Sequence, residues 1–143
     1  MSPPSKRFKP IQRIASNKEH KAAAALGDSL RLREEAEHRL EDLRRYHAEY
    51  LERYRAMVAG GASAATFRGY QSFLDKLEQA IREQQEAVAR AEAACERSKV
   101  EWRDRHAHSK AMDNAVGRMQ QREREDADKR EQKDQDERNQ RRR

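Results

Sequence analysis

The chain has 143 residues, 41% of them charged and 35% apolar, with a mean hydropathy of −1.34 and a formal net charge of +6. The length excludes a multi-domain enzyme, and too few large apolar side chains are present to fill a single compact core. Five glycines and three prolines cannot supply the turns of a β-sandwich or barrel, so the spacing of the apolar residues must decide between helix and disorder.

Residues 1–10 hold all three prolines, Pro3, Pro4 and Pro10, and read as an irregular arm. The arm is basic. Through residue 21, Lys6, Arg7, Lys9, Arg13, Lys18 and Lys21 stand against Glu19 alone, whereas residues 22–119 hold equal numbers of each sign. Such a segment suits an acidic partner: a protein, a membrane surface or a nucleic acid. No apolar stretch follows the first basic cluster, and the longest apolar run, Ala22 to Leu26, is far short of a membrane span. The expectation is a soluble cytoplasmic protein without a transmembrane segment.

Residues 11–58 read as a first helix. Met57, Tyr54, Tyr50, His47, Leu43, Leu40 and Ala36 step backwards by three and four, the signature of a coiled-coil seam. Arg33 and Ser29 then fall on the track with Leu30 and Leu32 beside it, before Leu26 and Ala22 resume it. This predicts a local slip of the repeat near residues 29–33. Residues 59–63, Ala-Gly-Gly-Ala-Ser, are a tight loop, with Ser63 suited to cap the next helix.

Residues 64–119 carry the strongest pattern. From Phe67, steps of three and four reach Tyr70, Leu74, Leu77, Ile81, Gln84, Val88, Ala91, Cys95, Ser98, Trp102, Arg105, Ser109, Met112, Val116 and Met119. Twelve of these 16 positions are apolar, too regular for the wider stripe of a globular-domain helix. Residues 120–143 contain one apolar residue, Ala127, and read as a charged extension of this helix that frays in isolation. The fold class is therefore all-α: a long antiparallel two-helix coiled coil, folded at Gly60-Gly61. Partners across the seam should have numbers summing to about 124, which sets small Ala22 against large Trp102.

No residue set points to chemistry. His106 and His108 are two apart and cannot share a helix face, Gly60-Gly61 lacks the Lys-Ser/Thr of a phosphate loop, and Cys95 sits on the seam as a small core residue. A non-enzymatic protein without cofactor or metal is expected. A zipper-type DNA reader needs its basic residues on a helix leading into the seam, and Pro10 interrupts that. Surplus apolar surface lies near the loop instead. Phe73, Leu77, Ala80 and Gln84 form a stripe beside the seam, and Tyr46 and Leu51 flank Leu43, Tyr50 and Tyr54. This is either a wider local core, a dimer contact or a partner-binding patch.

Tyr46-His47-Ala48-Glu49-Tyr50, the short glycine loop and the run from Tyr70 to Ile81 (Tyr-Gln-Ser-Phe-Leu-Asp-Lys-Leu-Glu-Gln-Ala-Ile) resemble the flagellar export protein family FliJ. The resemblance implies a non-enzymatic stalk or coupling component of the flagellar type III export apparatus, a coiled coil similar to the stalk subunit of rotary ATPases. Implied partners are the ring of the export ATPase FliI, the cytoplasmic domain of the export gate FlhA, and export chaperones. The gate-binding patch would fall on Leu43, Tyr46, Tyr50, Phe73, Leu77, Ala80 and Gln84. The arm carrying Lys6, Arg7, Lys9 and Arg13 would face the ATPase ring. The implied location is the cytoplasm, peripherally at the inner membrane of the flagellar base. The alternatives are the injectisome counterpart, a structural coiled-coil oligomer of two hairpins packed antiparallel, and a nucleic-acid binder acting through residues 1–21.

Overall fold

The computed structural model describes residues 2–142. Two α-helices account for nearly all of them, α1 (Pro4–Gly60) and α2 (Ala64–Arg141), and there is no strand among the described residues. The chain divides into two compact units: residues 24–99, and residues 1–23 together with 100–143.

The unit of residues 24–99 is a helical hairpin. Its turn is a Schellman closure of α1: Gly61 takes a positive φ of 75°, its N–H donates to Val58 O at 3.4 Å, and the Ala62 N–H donates to Met57 O at 3.4 Å. Ser63 then caps α2, its Oγ accepting the Thr66 N–H at 3.3 Å, as the sequence predicts. The seam follows the three-four repeat on both helices. On α1, Leu26, Ser29, Arg33, Ala36, Leu40, Leu43, His47, Tyr50, Tyr54 and Met57 are shielded, with Asp42 and Leu51 partly shielded beside the track, and on α2 Phe67 to Ser98 follow the same step. Leu40 and Leu74 are buried, and Cys95 is fully buried.

The slip expected at residues 29–33 is absent. Ser29 and Arg33 stay on the seam, whereas Leu30 and Leu32 are 36% and 55% exposed. Polar pairing holds the register. Ser29 Oγ lies 2.8 Å from Ser98 Oγ, and the Cys95 thiol donates to Ser29 O at 3.0 Å. A slip would gain leucine burial only by breaking this set and leaving the buried polar groups unpaired. Arg33 contributes its aliphatic stem, while its Nε lies 3.8 Å from a Glu37 carboxylate oxygen and makes no hydrogen bond.

In the other unit, residues 4–23 of α1 pack against the C-terminal part of α2. Ala15, Ala22 and Val116 are buried, and Trp102 is partly shielded, stacked on His106 at 4.9 Å. The irregular arm expected at residues 1–10 is helical from Pro4 onwards. The physical reason lies at the other end of the sequence. Pro4 occupies the first helical position, where its missing N–H costs nothing. Pro3 O accepts from the Lys6 and Arg7 amides, and Glu123 on α2 accepts from the Ser5 N–H at 3.0 Å and from Ser5 Oγ at 2.7 Å. The free donors of the first turn are thus satisfied, partly by a carboxylate at the positive end of the helix dipole. Pro10 lies inside α1 with its ring exposed. The charged extension of the second helix runs through Arg141, and the helix loop is shorter than residues 59–63 because Gly60 still belongs to α1.

Candidate protein-binding surfaces

Next to the turn, the hairpin assembles an aromatic cluster. Tyr50 meets Phe73 edge-on, with ring centroids 4.6 Å apart at 62°, and Tyr54 meets Phe67 at 6.2 Å and 76°. The Arg53 guanidinium lies 5.0 Å from the Tyr50 ring centroid and that of Arg45 lies 5.9 Å from Tyr46. Tyr50, Thr66, Gly69, Tyr70 and Phe73 line a shallow open depression. A Cβ on Gly69 would meet nothing within 4 Å, so the glycine opens the depression without being forced by packing.

The seven residues of the expected patch separate by position. Tyr46 is 46% and Phe73 is 40% exposed, and these two present apolar surface to solvent. Leu43, Tyr50, Leu77 and Ala80 are half-buried and support them. Gln84 is turned across the seam, its amide donating to Ala36 O at 2.9 Å. The sequence does not mark Thr66, Gly69 and Tyr70 as patch residues, although Thr66, Gly69, Tyr70 and Phe73 follow the 3, 1, 3 spacing of a single helix face.

The second surface lies in the unit that contains the N-terminal stretch. Lys6, Arg7, Lys9 and Arg13 are exposed and form no ion pair among the described residues. Helical spacing places Lys6, Lys9 and Arg13 on one face and Arg7 on another. Lys6 and Lys9 border a shallow groove whose far side is Gln120, Arg124 and Ala127 of α2. The groove lies beside the Ser5–Glu123 clasp, and the two hydrogen bonds from Ser5 hold the Glu123 carboxyl below the usual carboxylate range.

Two of the histidines, His47 and His106, face the other helix, and His20, His38 and His108 are exposed. His106 Nδ1 lies 2.7 Å from Glu19 Oε1 as a donor to the carboxylate, and His47 Nε2 lies 3.4 Å from Glu78 Oε1. Hydrogen bonds from His106 and then Ser109 hold the Glu19 carboxyl low. Among the described residues, no group of three or more His, Cys, Asp or Glu could hold a metal ion, and no helix is long and apolar enough to cross a membrane.

The model of the flagellar FliJ protein family matches residues 5–143. The chain belongs to the FliJ family. The match covers α1, the turn and α2, so the resemblance seen around Tyr46–Tyr50 and Tyr70–Ile81 extends to nearly the whole chain. Among solved structures, CT670 of Chlamydia trachomatis, described as a YscO homologue, is similar with a TM-score of 0.60 and 18% identity. The match covers 93% of this chain and 91% of that one, and it is a likeness of fold. No curated protein matches the sequence significantly. As a FliJ-family protein, the chain is a component of flagellar type III protein export, built as an all-α pair of long helices.

Proposed function

We propose that this FliJ-family chain is the stalk and coupling component of flagellar export, working by contact between proteins and not by catalysis. In this reading the Lys6, Arg7, Lys9 and Arg13 surface faces the ring of the export ATPase FliI. The tip patch of Leu43, Tyr46, Tyr50, Phe73, Leu77 and Ala80 docks on the cytoplasmic domain of the export gate FlhA, with Gln84 holding the seam behind it. Export chaperones are further partners, and the site of action is the cytoplasmic face of the inner membrane at the flagellar base.

The observation that carries the reading is the exposure of Phe73 and Tyr46 beside the seam. Apolar aromatic surface held rigid by Tyr50 and ringed by polar residues is the composition of a binding hot spot. The unpaired cations Lys6, Lys9 and Arg13 on one helix face suit an acidic contact, where they add specificity and speed of encounter. The test has two arms. Adding the protein to FliI should promote ring assembly and raise ATP turnover, and combined Lys6→Glu, Lys9→Glu and Arg13→Glu changes should remove that effect. Phe73→Ala should weaken FlhA binding at least tenfold with helix content unchanged. A Phe73→Ala variant that binds FlhA normally, or a wild type without effect on FliI, refutes the corresponding contact.

A further inference from the structure

The hairpin unit of residues 24–99 has a flank beside the seam on which the two helices differ in a complementary way. On α1 the seam-flanking row is Leu32, Arg39, Tyr46 and Arg53. On α2 it is Ala94, Ala87, Ala80 and Phe73. The observed cross-seam pairs, among them Tyr50 with Phe73, His47 with Glu78 and Cys95 with Ser29, have numbers summing to about 124. That register sets these rows side by side on one face, with Leu32 level with Ala94 and Tyr46 level with Ala80. The α1 row is large and exposed, Leu32 at 55% and Tyr46 at 46%, whereas the three alanines are half-buried.

The outer rims differ in charge. Beyond the α1 row lie Asp28, Glu35, Asp42 and Glu49; beyond the α2 row lie Arg97, Arg90, Glu83 and Lys76. Asp28 and Glu35 touch only Arg31 of their own helix, at 3.5 Å and 3.8 Å and well exposed, which is a weak tie. Arg90, Arg97 and Lys76 have no ion pair among the described residues.

We infer that this face binds a second copy of the chain. A two-fold axis parallel to the helices of this unit lays α1 of one protomer on α2 of its partner. Large residues then meet small ones: Leu32 meets the partner's Ala94 and Tyr46 meets the partner's Ala80. The rims meet with opposite sign: Asp28 against the partner's Arg97, Glu35 against the partner's Arg90, Glu49 against the partner's Lys76. A two-fold contact must be self-complementary, and this face is so in both size and charge. Two layers fit less well. Asp42 meets the partner's Glu83, but Asp42 is engaged at home by Arg45 at 2.7 Å and Glu83 by the Gln79 amide at 3.2 Å. Arg53 meets the partner's Phe73, large against large, and its guanidinium lies 5.0 Å from the Tyr50 ring of its own chain.

The strip runs three heptads, about 31 Å at 1.5 Å per residue. With two helices about 20 Å wide, it buries roughly 600 Å² on each protomer, at the low end for a specific interface. The association is therefore weak and concentration-dependent. Because the strip includes Tyr46 and Phe73, the dimer covers the tip patch; that consequence rests on the proposed gate contact, whereas the association itself does not.

Sedimentation velocity of the full chain between roughly 5 and 500 μM, concentrations that bracket a dissociation constant in the micromolar range, tests the inference without FlhA. The wild type should show a reversible monomer–dimer equilibrium. Arg90→Glu with Arg97→Glu should weaken it at least tenfold, and so should Asp28→Arg with Glu35→Arg. All four positions are exposed, and circular dichroism should show both variants fully helical. Mixing the two variants one-to-one should restore the dimer, because each α1 then meets an α2 of opposite sign. A wild type that stays monomeric throughout, charge variants that associate like the wild type, or a mixture that stays monomeric would each overturn the proposal.

Discussion

The register of the hairpin seam can be tested with two leucines eight residues apart. Leu40 is 9% exposed and lies on the seam, whereas Leu32 is 55% exposed and lies beside it. Leucine to alanine removes three carbons, worth about 2.4 kcal/mol of transfer free energy at about 0.8 kcal/mol per buried methylene. At Leu40 nearly all of that applies, and the facing helix cannot collapse fully into the gap, so the total is about 3 kcal/mol. At Leu32 less than half applies and solvent fills the space, leaving about 1 kcal/mol or less. Urea denaturation followed by circular dichroism, with a slope of about 2 kcal/mol/M, should separate the two midpoints by about 1 M. Equal losses would mean that Leu32 enters the core in solution and that the repeat slips near residues 29–33 after all. A larger loss at Leu32 than at Leu40 would refute the assigned seam outright.

Glu123→Gln should lower thermal stability at neutral pH and leave residues 4–10 with faster amide exchange, since it removes the carboxylate that caps α1. The Glu123 and Glu19 carboxyls are both held below their usual range, so their contribution is complete above the ordinary glutamate value of about 4.3 and is lost as pH falls through the lower folded value. Stability measured from neutral pH down to strong acid should therefore decline more shallowly in Glu123→Gln than in the wild type. Gly61→Ala should cost about 1 kcal/mol in chemical denaturation, because a side chain at φ 75° is strained although space for it is open. A neutral outcome there would show that the turn relaxes into another closure.

The second helix is legible from its sequence because nearly every seam position carries an apolar side chain, so the period stands out without knowledge of a partner. The first helix is harder to read. Gln12, Glu19, Ser29, Arg33 and His47 occupy shielded positions; the polarity of Gln12, Glu19, Ser29 and His47 is satisfied by groups on the other helix, Asp113, His106, Ser98 and Glu78, whereas Arg33 Nε has no hydrogen-bond partner. Local pattern cannot reveal a hydrogen bond to a residue 69 or 87 positions away. The same limit explains the N-terminus. Three prolines suggest an irregular arm, but Pro4 suits a first helical turn and the missing cap arrives from Glu123, 118 positions on. At the tip, Phe73 announces itself as a large apolar residue off the repeat. The depression beside it does not, because Thr66 and Gly69 look like ordinary surface residues until α1 places Tyr50 opposite them.

Cys95 is the sole thiol of the chain and is wholly shielded, with its S–H directed at the Ser29 carbonyl. A thiol so placed is an internal clock. Maleimide or disulfide reagents can reach it only while the helices part, so their rate of modification reads the frequency of that breathing at a single point of the zipper, without any label having to be introduced.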